Sequence, residues 1–298
     1  MAVREEFSTY HPLVNFVYFV LVLGFTMSVM NPVCLAISLI CATAYSVYIN
    51  RGKAVRFNLL FMLPMLIVTA LINPAFNHAG GTILSYLPSG NPLTLESVVY
   101  GIAAAAMLIT VISWFSCFNA VITSDKFIYL FGRIIPALSL ILSMSLRFVP
   151  RFKAQIRVIA EAQRCVGRGA SNGSILSRAK NGIRIVSIMI TWALENAIET
   201  ADSMKSRGYG LRGRTAFSIY RFDRRDARAL AVILACGLYV VMGYALGGLY
   251  FRYFPTIKGN LTGAYSLSVY TAYFVLCIMP VVINKREDMA WRALRSEI

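Results

Sequence analysis

Apolar residues occur along this chain in long stretches at 12–31, 33–50, 57–76, 97–118, 229–251 and 265–283. Each approaches the roughly 17–25 residues that an α-helix needs to cross about 30 Å of hydrocarbon. The pattern predicts an all-α, polytopic membrane protein with about six transmembrane helices. The second stretch is short. The third contains Pro64, which removes a backbone donor; neighbours can satisfy the freed carbonyl, so a kink is expected and a break is not.

Between the fourth and fifth stretches the pattern changes. Residues 119–228 keep apolar positions at helical spacing but interleave them with cations, which predicts a region of long amphipathic helices inserted between membrane segments 1–118 and 229–298. Three helices are expected. The first, 127–149, carries Arg133, Pro136 and Arg147, and either lies along the bilayer or crosses it. The second is expected to start at Pro150, because proline suits the first turn, where its missing donor has no partner to lose. One of its faces is Phe152, Ile156, Ile159, Gln163 and Val166; another is Arg157, Glu161, Arg164 and Arg168, before Gly169 ends it. The third, 174–207, would be roughly 50 Å long. Its apolar face is Ile175, Ala179, Ile183, Val186, Ile190, Ala193, Ala197, Ala201 and Met204. The small residues in it would let a second long helix cross closely.

Composition sharpens this picture. The 298 residues are 58% hydrophobic and 14% charged, with a mean hydropathy of +0.64, far from the usual soluble balance. The net charge of +16 is mostly local: residues 119–228 hold 19 Lys and Arg against seven Asp and Glu, a balance of +12. Residues 77–96 hold no Lys or Arg, whereas Arg51, Lys53 and Arg56 cluster between the second and third stretches. The positive-inside rule then places both termini and the insert in the cytoplasm. No small-residue cleavage site follows the first apolar run, so that run is expected to be retained. Five of the six cysteines (Cys34, Cys41, Cys117, Cys236, Cys277, but not Cys165) fall in apolar runs and form no C-x-x-C pair, which reads as buried thiols.

Two short motifs repeat in the insert. Gly167-Arg168-Gly169 closes the second helix and Ser206-Arg207-Gly208 closes the third. A cation in the last turn followed by a glycine cap has a purely structural explanation. The repetition, and the choice of arginine with its two-pronged fork, also suits a pair of docking anchors for carboxylates. Arg147 and Arg151 bracket Phe148-Val149-Pro150 and form either an elbow between membrane and insert or a pair of headgroup anchors. Glu195, Glu199 and Asp202 share a stripe that either pairs with the second helix or stays solvated. Asp223, Arg224, Arg225 and Asp226 read as a charged lead-in to the fifth span.

The run Ser143-Met144-Ser145-Leu146-Arg147-Phe148-Val149-Pro150-Arg151-Phe152, followed by Glu161-Ala162-Gln163-Arg164, Gly167-Arg168-Gly169, Arg207-Gly208-Tyr209-Gly210 and Arg214-Thr215, resembles the transmembrane T component of energy-coupling factor (ECF) transporters, the EcfT/CbiQ family. The likeness extends to His11-Pro12 and Asn91-Pro92-Leu93-Thr94. It departs from the family's Ala-Arg-Gly triplets in having Gly167 and Ser206 where alanine is usual. The resemblance implies a coupling subunit of a vitamin or metal-ion importer. Its implied partners are two ABC-type ATPases, identical or different, and a small substrate-binding membrane subunit thought to tip over during transport. Arg168 and Arg207, each within its triplet, would enter acidic grooves on the ATPases. The long helices would cross and transmit ATPase closure.

The competing reading is a self-contained ABC-type permease lining its own path, which would need an intramembrane polar cluster or internal repeats. A lipid-modifying enzyme would need a convergent acid, base or metal set. No G-x-x-x-x-G-K-[ST] phosphate loop is present, so no ATP hydrolysis is expected of this chain. His11 and His78 fall on opposite expected sides, and neither catalytic residues nor a cofactor are expected. Nucleic acid is not the expected partner, because the basic insert carries apolar faces beside membrane spans.

Overall fold

The structure is a computed structural model and describes residues 5–86, 91–132, 135–169, 174–211, 220–259 and 262–296. After a short 3-10 turn, Phe7–Thr9, come α1 (Pro12–Ser28), α2 (Pro32–Asn50), α3 (Gly52–Phe57), a π-helical turn (Asn58–Met62) and α4 (Leu63–Phe76). The hairpin β1 (Ile83–Tyr86) with β2 (Pro92–Thr94) leads into α5 (Leu95–Val121), α6 (Ser124–Gly132), α7 (Pro136–Cys165) and α8 (Ile175–Ser206). Then follow α9 (Arg224–Ala245), the pair β3 (Phe251–Arg252) and β4 (Lys258–Gly259), and α10 (Ala264–Ser296). Among the described residues, five helical stretches are long and apolar enough to cross a membrane, and α1 is a sixth apolar helix of 17 residues. The expected polytopic all-α architecture is what the chain adopts.

Local chemistry sets the helix starts. Pro12 and Pro32 stand in the first turns of α1 and α2, each preceded by a side-chain cap: His11 Nδ1 accepts from the Leu13 amide at 3.2 Å and Asn31 Oδ1 from the Val33 amide at 3.0 Å. Helix α1 ends at Ser28, three residues before the first expected span does, and Asn31 opens the next helix. Thr94 Oγ1 caps α5 through the Ser97 amide at 3.3 Å. Pro64 does not break its stretch. The π turn immediately before it absorbs the lost hydrogen bond by widening one turn.

The chain divides into two compact units, one of residues 1–127 and 220–298 and the other of residues 128–219. The core of the first joins α1, α2, α5, α9 and α10 around Trp114, Tyr18, Tyr45, Tyr273 and Phe19, all fully buried. Four polar side chains in it form one network: Trp114 Nε1 donates to Ser38 Oγ at 2.9 Å, and Thr26 Oγ1 lies 3.0 Å from Ser38 Oγ and 3.2 Å from the Tyr273 hydroxyl. In hydrocarbon an unpaired donor costs several kcal/mol, so this network ties four helices together. Helix α4 packs on α5 where Gly101 permits close approach; a Cβ there would sit 2.6 Å from the Ala70 carbonyl.

In the second unit the expected helix boundary moves. Pro150 does not start a helix; α7 runs unbroken from Pro136 to Cys165 with Pro150 inside it. The proline that takes the first-turn position is Pro136, which the apolar pattern predicts inside a helix over 127–149. Both prolines satisfy the first-turn rule locally. Helix α7 continues through Pro150, which costs it one backbone hydrogen bond without ending it.

Helices α7 and α8 meet through Ile159, Ile185 and Met189, with Phe152, Ala160 and Trp192 around them. The Phe152 and Trp192 rings meet edge to face at 5.7 Å, and the Arg151 guanidinium lies over the Trp192 ring at 5.6 Å. This overturns the expected contact face of α8. Ile175, Ile183, Val186 and Ile190 are exposed, Ile175 at 86% and Ile183 at 71%, while the face set by Ile185, Met189, Trp192 and Asn196 packs. Of the expected second-helix face, Ile159 is buried, Phe152 and Gln163 are half-buried, and Ile156 and Val166 are exposed.

Candidate docking surface

Each long helix of the second unit ends in the same backbone motif. At the end of α7 the Gly167 amide donates to the Arg164 carbonyl at 3.0 Å and the Arg168 amide to the Gln163 carbonyl at 2.8 Å. At the end of α8 the Gly208 amide donates to the Lys205 carbonyl at 2.9 Å and the Tyr209 amide to the Met204 carbonyl at 3.0 Å. Both are complete Schellman caps, which satisfy carbonyls the helix leaves over. The glycine that turns left-handed is Gly167 in one, with φ 75°, and Gly208 in the other, with φ 76°.

The two triplets are thus shifted against each other by two residues. Arg168 follows its left-handed glycine, whereas Arg207 precedes its own and is the last helical cap residue. Gly169 was expected to end the helix and does not adopt the left-handed conformation. It is buried, and its carbonyl accepts from Asn181 Nδ2 of α8 at 3.2 Å. That bond ties the end of α7 to the first turns of α8. Ser206 Oγ returns to the Ser203 carbonyl at 2.9 Å within its own last turn. Arg168 and Arg207 are both exposed. Arg214 and Thr215, which belong to the recognised pattern, lie outside the described residues.

Arg147, Pro150 and Arg151 lie along the middle of α7 and are exposed. Of the three, Arg151 has a specific partner in Trp192, a residue that sequence reading did not select. The usable signal was a lone tryptophan in an amphipathic helix opposite an aromatic-flanked arginine. Glu195, Glu199 and Asp202 are exposed on α8. Cys165 is exposed at the end of α7, whereas Cys34, Cys41, Cys117 and Cys277 are buried and Cys236 is half-buried. Among the described residues no group of three or more His, Cys, Asp or Glu could hold a metal ion.

A family model described as cobalt transport protein, CbiQ, matches residues 5–217, from the first membrane helices through α7 and α8. The chain belongs to the CbiQ family. Curated relatives carry the name energy-coupling factor transporter transmembrane protein EcfT. That of Bacillus selenitireducens is 29% identical over 208 residues, which cover 66% of this chain and 75% of the relative. Those of Lactobacillus helveticus and Brevibacillus brevis are 35% and 33% identical over 106 and 108 residues, 35% and 36% of this chain. These two matches span 38% and 40% of the relatives' own length, less than half of each. As a CbiQ-family chain with apolar spanning helices, this is a multi-pass transporter membrane component.

Proposed function

We propose that this chain is the transmembrane coupling subunit of an ECF-type importer in the plasma membrane of a prokaryote, with both termini and residues 119–228 in the cytoplasm. Two ABC-type ATPases, identical or different, dock at Arg168 and Arg207. A separate small membrane subunit binds the substrate, a vitamin or a metal ion, and ATP is hydrolysed by the partners alone. The two arginines are the anchors, and Gly167, Gly169, Ser206 and Gly208 set the chain direction around them. Arg147, Pro150 and Arg151 form the elbow through which α7 passes on the motion.

The observation that carries this reading is the pair of Schellman-capped helix ends, each presenting an exposed arginine. A capped helix end is rigid, so a force applied at the guanidinium travels along about 45–50 Å of helix without being lost in a loop. The exposed stripe of Ile175, Ile183, Val186 and Ile190 supports it further, because the longest apolar period of α8 is not covered by α7 or any other described part of its own unit. Affinity purification of the tagged chain from its own membranes tests the assignment. Two ATPase chains and one small membrane protein should co-purify, with ATP hydrolysis belonging to the assembly. Recovery of an active transporter made of this chain and ATPases alone would reject the separate substrate subunit.

A further inference from the structure

Residues 5–11 lie at the point where the chain leaves the first unit after Phe127 and re-enters it at Tyr220. They touch both sides of that gap. On the outgoing side, Lys126 is buried at 5% exposure, and its ammonium donates to the Ser8 carbonyl, to Ser8 Oγ at 3.0 Å and to the Val121 carbonyl at 2.9 Å. On the returning side, Arg225 donates to Thr9 Oγ1 at 3.1 Å with its guanidinium 4.2 Å above the Tyr10 ring. Asp226, buried in the first turn of α9, accepts from the His11 amide at 3.1 Å and from the Asp223 amide at 3.1 Å.

The segment is itself fixed to the membrane helices. Phe7 is fully buried among Tyr10, Tyr18, Phe19 and Tyr45, and its amide donates to Asn284 Oδ1 of α10 at 2.8 Å. The Tyr45 hydroxyl of α2 donates to Glu5 at 3.0 Å. Lys126 of α6 and Arg225 of α9 add to these anchors. What the two cations have in common is position, since they stand within a few residues of the two ends of the 128–219 unit.

We propose that residues 5–11 form a clasp that sets the two attachment points of the 128–219 unit, with Lys126 and Arg225 as its positioning residues. Force reaching either attachment is then delivered to α1, α2 and α10 together, and is not spent in swinging a loose stalk. This rests on the coupling role proposed above. Loosening the clasp uncouples ATP hydrolysis from import while leaving the ATPases bound, because the docking arginines are untouched.

The experiment uses the full chain in lipid nanodiscs for hydrogen exchange, and the reconstituted assembly for transport. Lys126→Met should raise amide exchange over 5–11 and also over 223–228, and Arg225→Gln should raise it over 5–11 and 120–127. In the assembly each should increase ATP consumed per substrate imported by about threefold or more, the scale of coupled contacting groups, with ATPase recovery unchanged and partial rescue by Lys126→Arg. Should Lys126→Met fail to fold, Ser8→Ala and Thr9→Val loosen the same contacts more gently. Exchange confined to the substituted element, or an unchanged ATP-to-import ratio beside raised exchange, overturns the clasp. If the wild-type chain bound no ATPase, the coupling role would fall, while the exchange measurement alone would still decide whether the two attachments are joined.

Discussion

Gly167 and Gly208 adopt the same left-handed backbone, φ 75° and 76°, yet one precedes the arginine of its triplet and the other follows it. The two helix ends are therefore alike in hydrogen bonding and unlike in where the guanidinium starts. Alanine at either glycine must hold a Cβ in the left-handed region, at a cost of about 1 kcal/mol. At position 208 that Cβ also meets the tip of Leu211 at 2.9 Å, whereas at 167 it meets open space. Gly169 has no such constraint, and its Cβ would lie 3.4 Å from the flexible Arg164 stem. Thermal unfolding in detergent should rank Gly208→Ala and Gly167→Ala as destabilising and Gly169→Ala as close to neutral. A Gly169→Ala variant worse than Gly167→Ala would show that the cap glycine had been misassigned.

The contact between α7 and α8 has its own signature. Ile185→Ala, at a site 7% exposed, should cost about 2–4 kcal/mol by loss of buried methyl groups, whereas Ile183→Ala at 71% exposure should cost under about 0.5 kcal/mol. A double-mutant cycle between Arg151→Ala and Trp192→Leu should return about 0.5–1 kcal/mol of coupling. Equal costs at 183 and 185 would mean that the helix packs by its other face.

These two residues also show where sequence reading stops. Helix α8 carries two apolar faces, and periodicity selects the longer one, Ile175 to Met204, without indicating whether the chain itself or another protein covers it. The packed face is interrupted by Asn181 and Asn196, so its apolar period is the shorter one. The membrane spans were legible because length and hydropathy decide them. Pro150 was misread because the first-turn rule is local, and Pro136 satisfied it equally well. The links from Arg225 and Asp226 to residues 9–11 join groups more than 200 positions apart, which no spacing rule reaches.

Burial pulls the Lys126 ammonium down to about 8 from the usual 10.5, with Glu5 opposing the shift. Below about pH 8 the amine is charged in both the folded and unfolded chain. Between about pH 8 and 10 the folded chain has released the proton and the unfolded chain keeps it, so folding stability contributed by this group rises with pH. The thermal midpoint of the wild type should therefore gain on that of Lys126→Met as pH is raised through that window. A difference that stays flat from pH 7 to about 10 would contradict a buried, depressed lysine.

Sidedness can be read from a native group. Cys165 is the exposed cysteine among the six, so a membrane-impermeant maleimide should leave the wild type unlabelled on intact cells and label it in inverted vesicles. In a variant with Cys165 replaced, Ser85→Cys in the exposed β1 strand should show the reverse pattern. Labelling of Cys165 from outside would invert the whole topology.

The central claim is that Arg168 and Arg207 hold the ATPases, and recovery of ATPase with the tagged chain tests it most directly. Removing one member of a desolvated charge pair costs about 2–5 kcal/mol, much of it from the carboxylate left behind. Arg168→Ala and Arg207→Ala should each reduce recovery severely and the double variant should abolish it. Lysine should restore part, since it keeps the charge without the fork. Arg184→Ala removes the same charge from an exposed site on α8 outside both triplets and should leave recovery unchanged. Equal weakening by all three single substitutions, with the same sensitivity to salt, would mean that general basicity binds the partners and that the two helix ends are not the anchors.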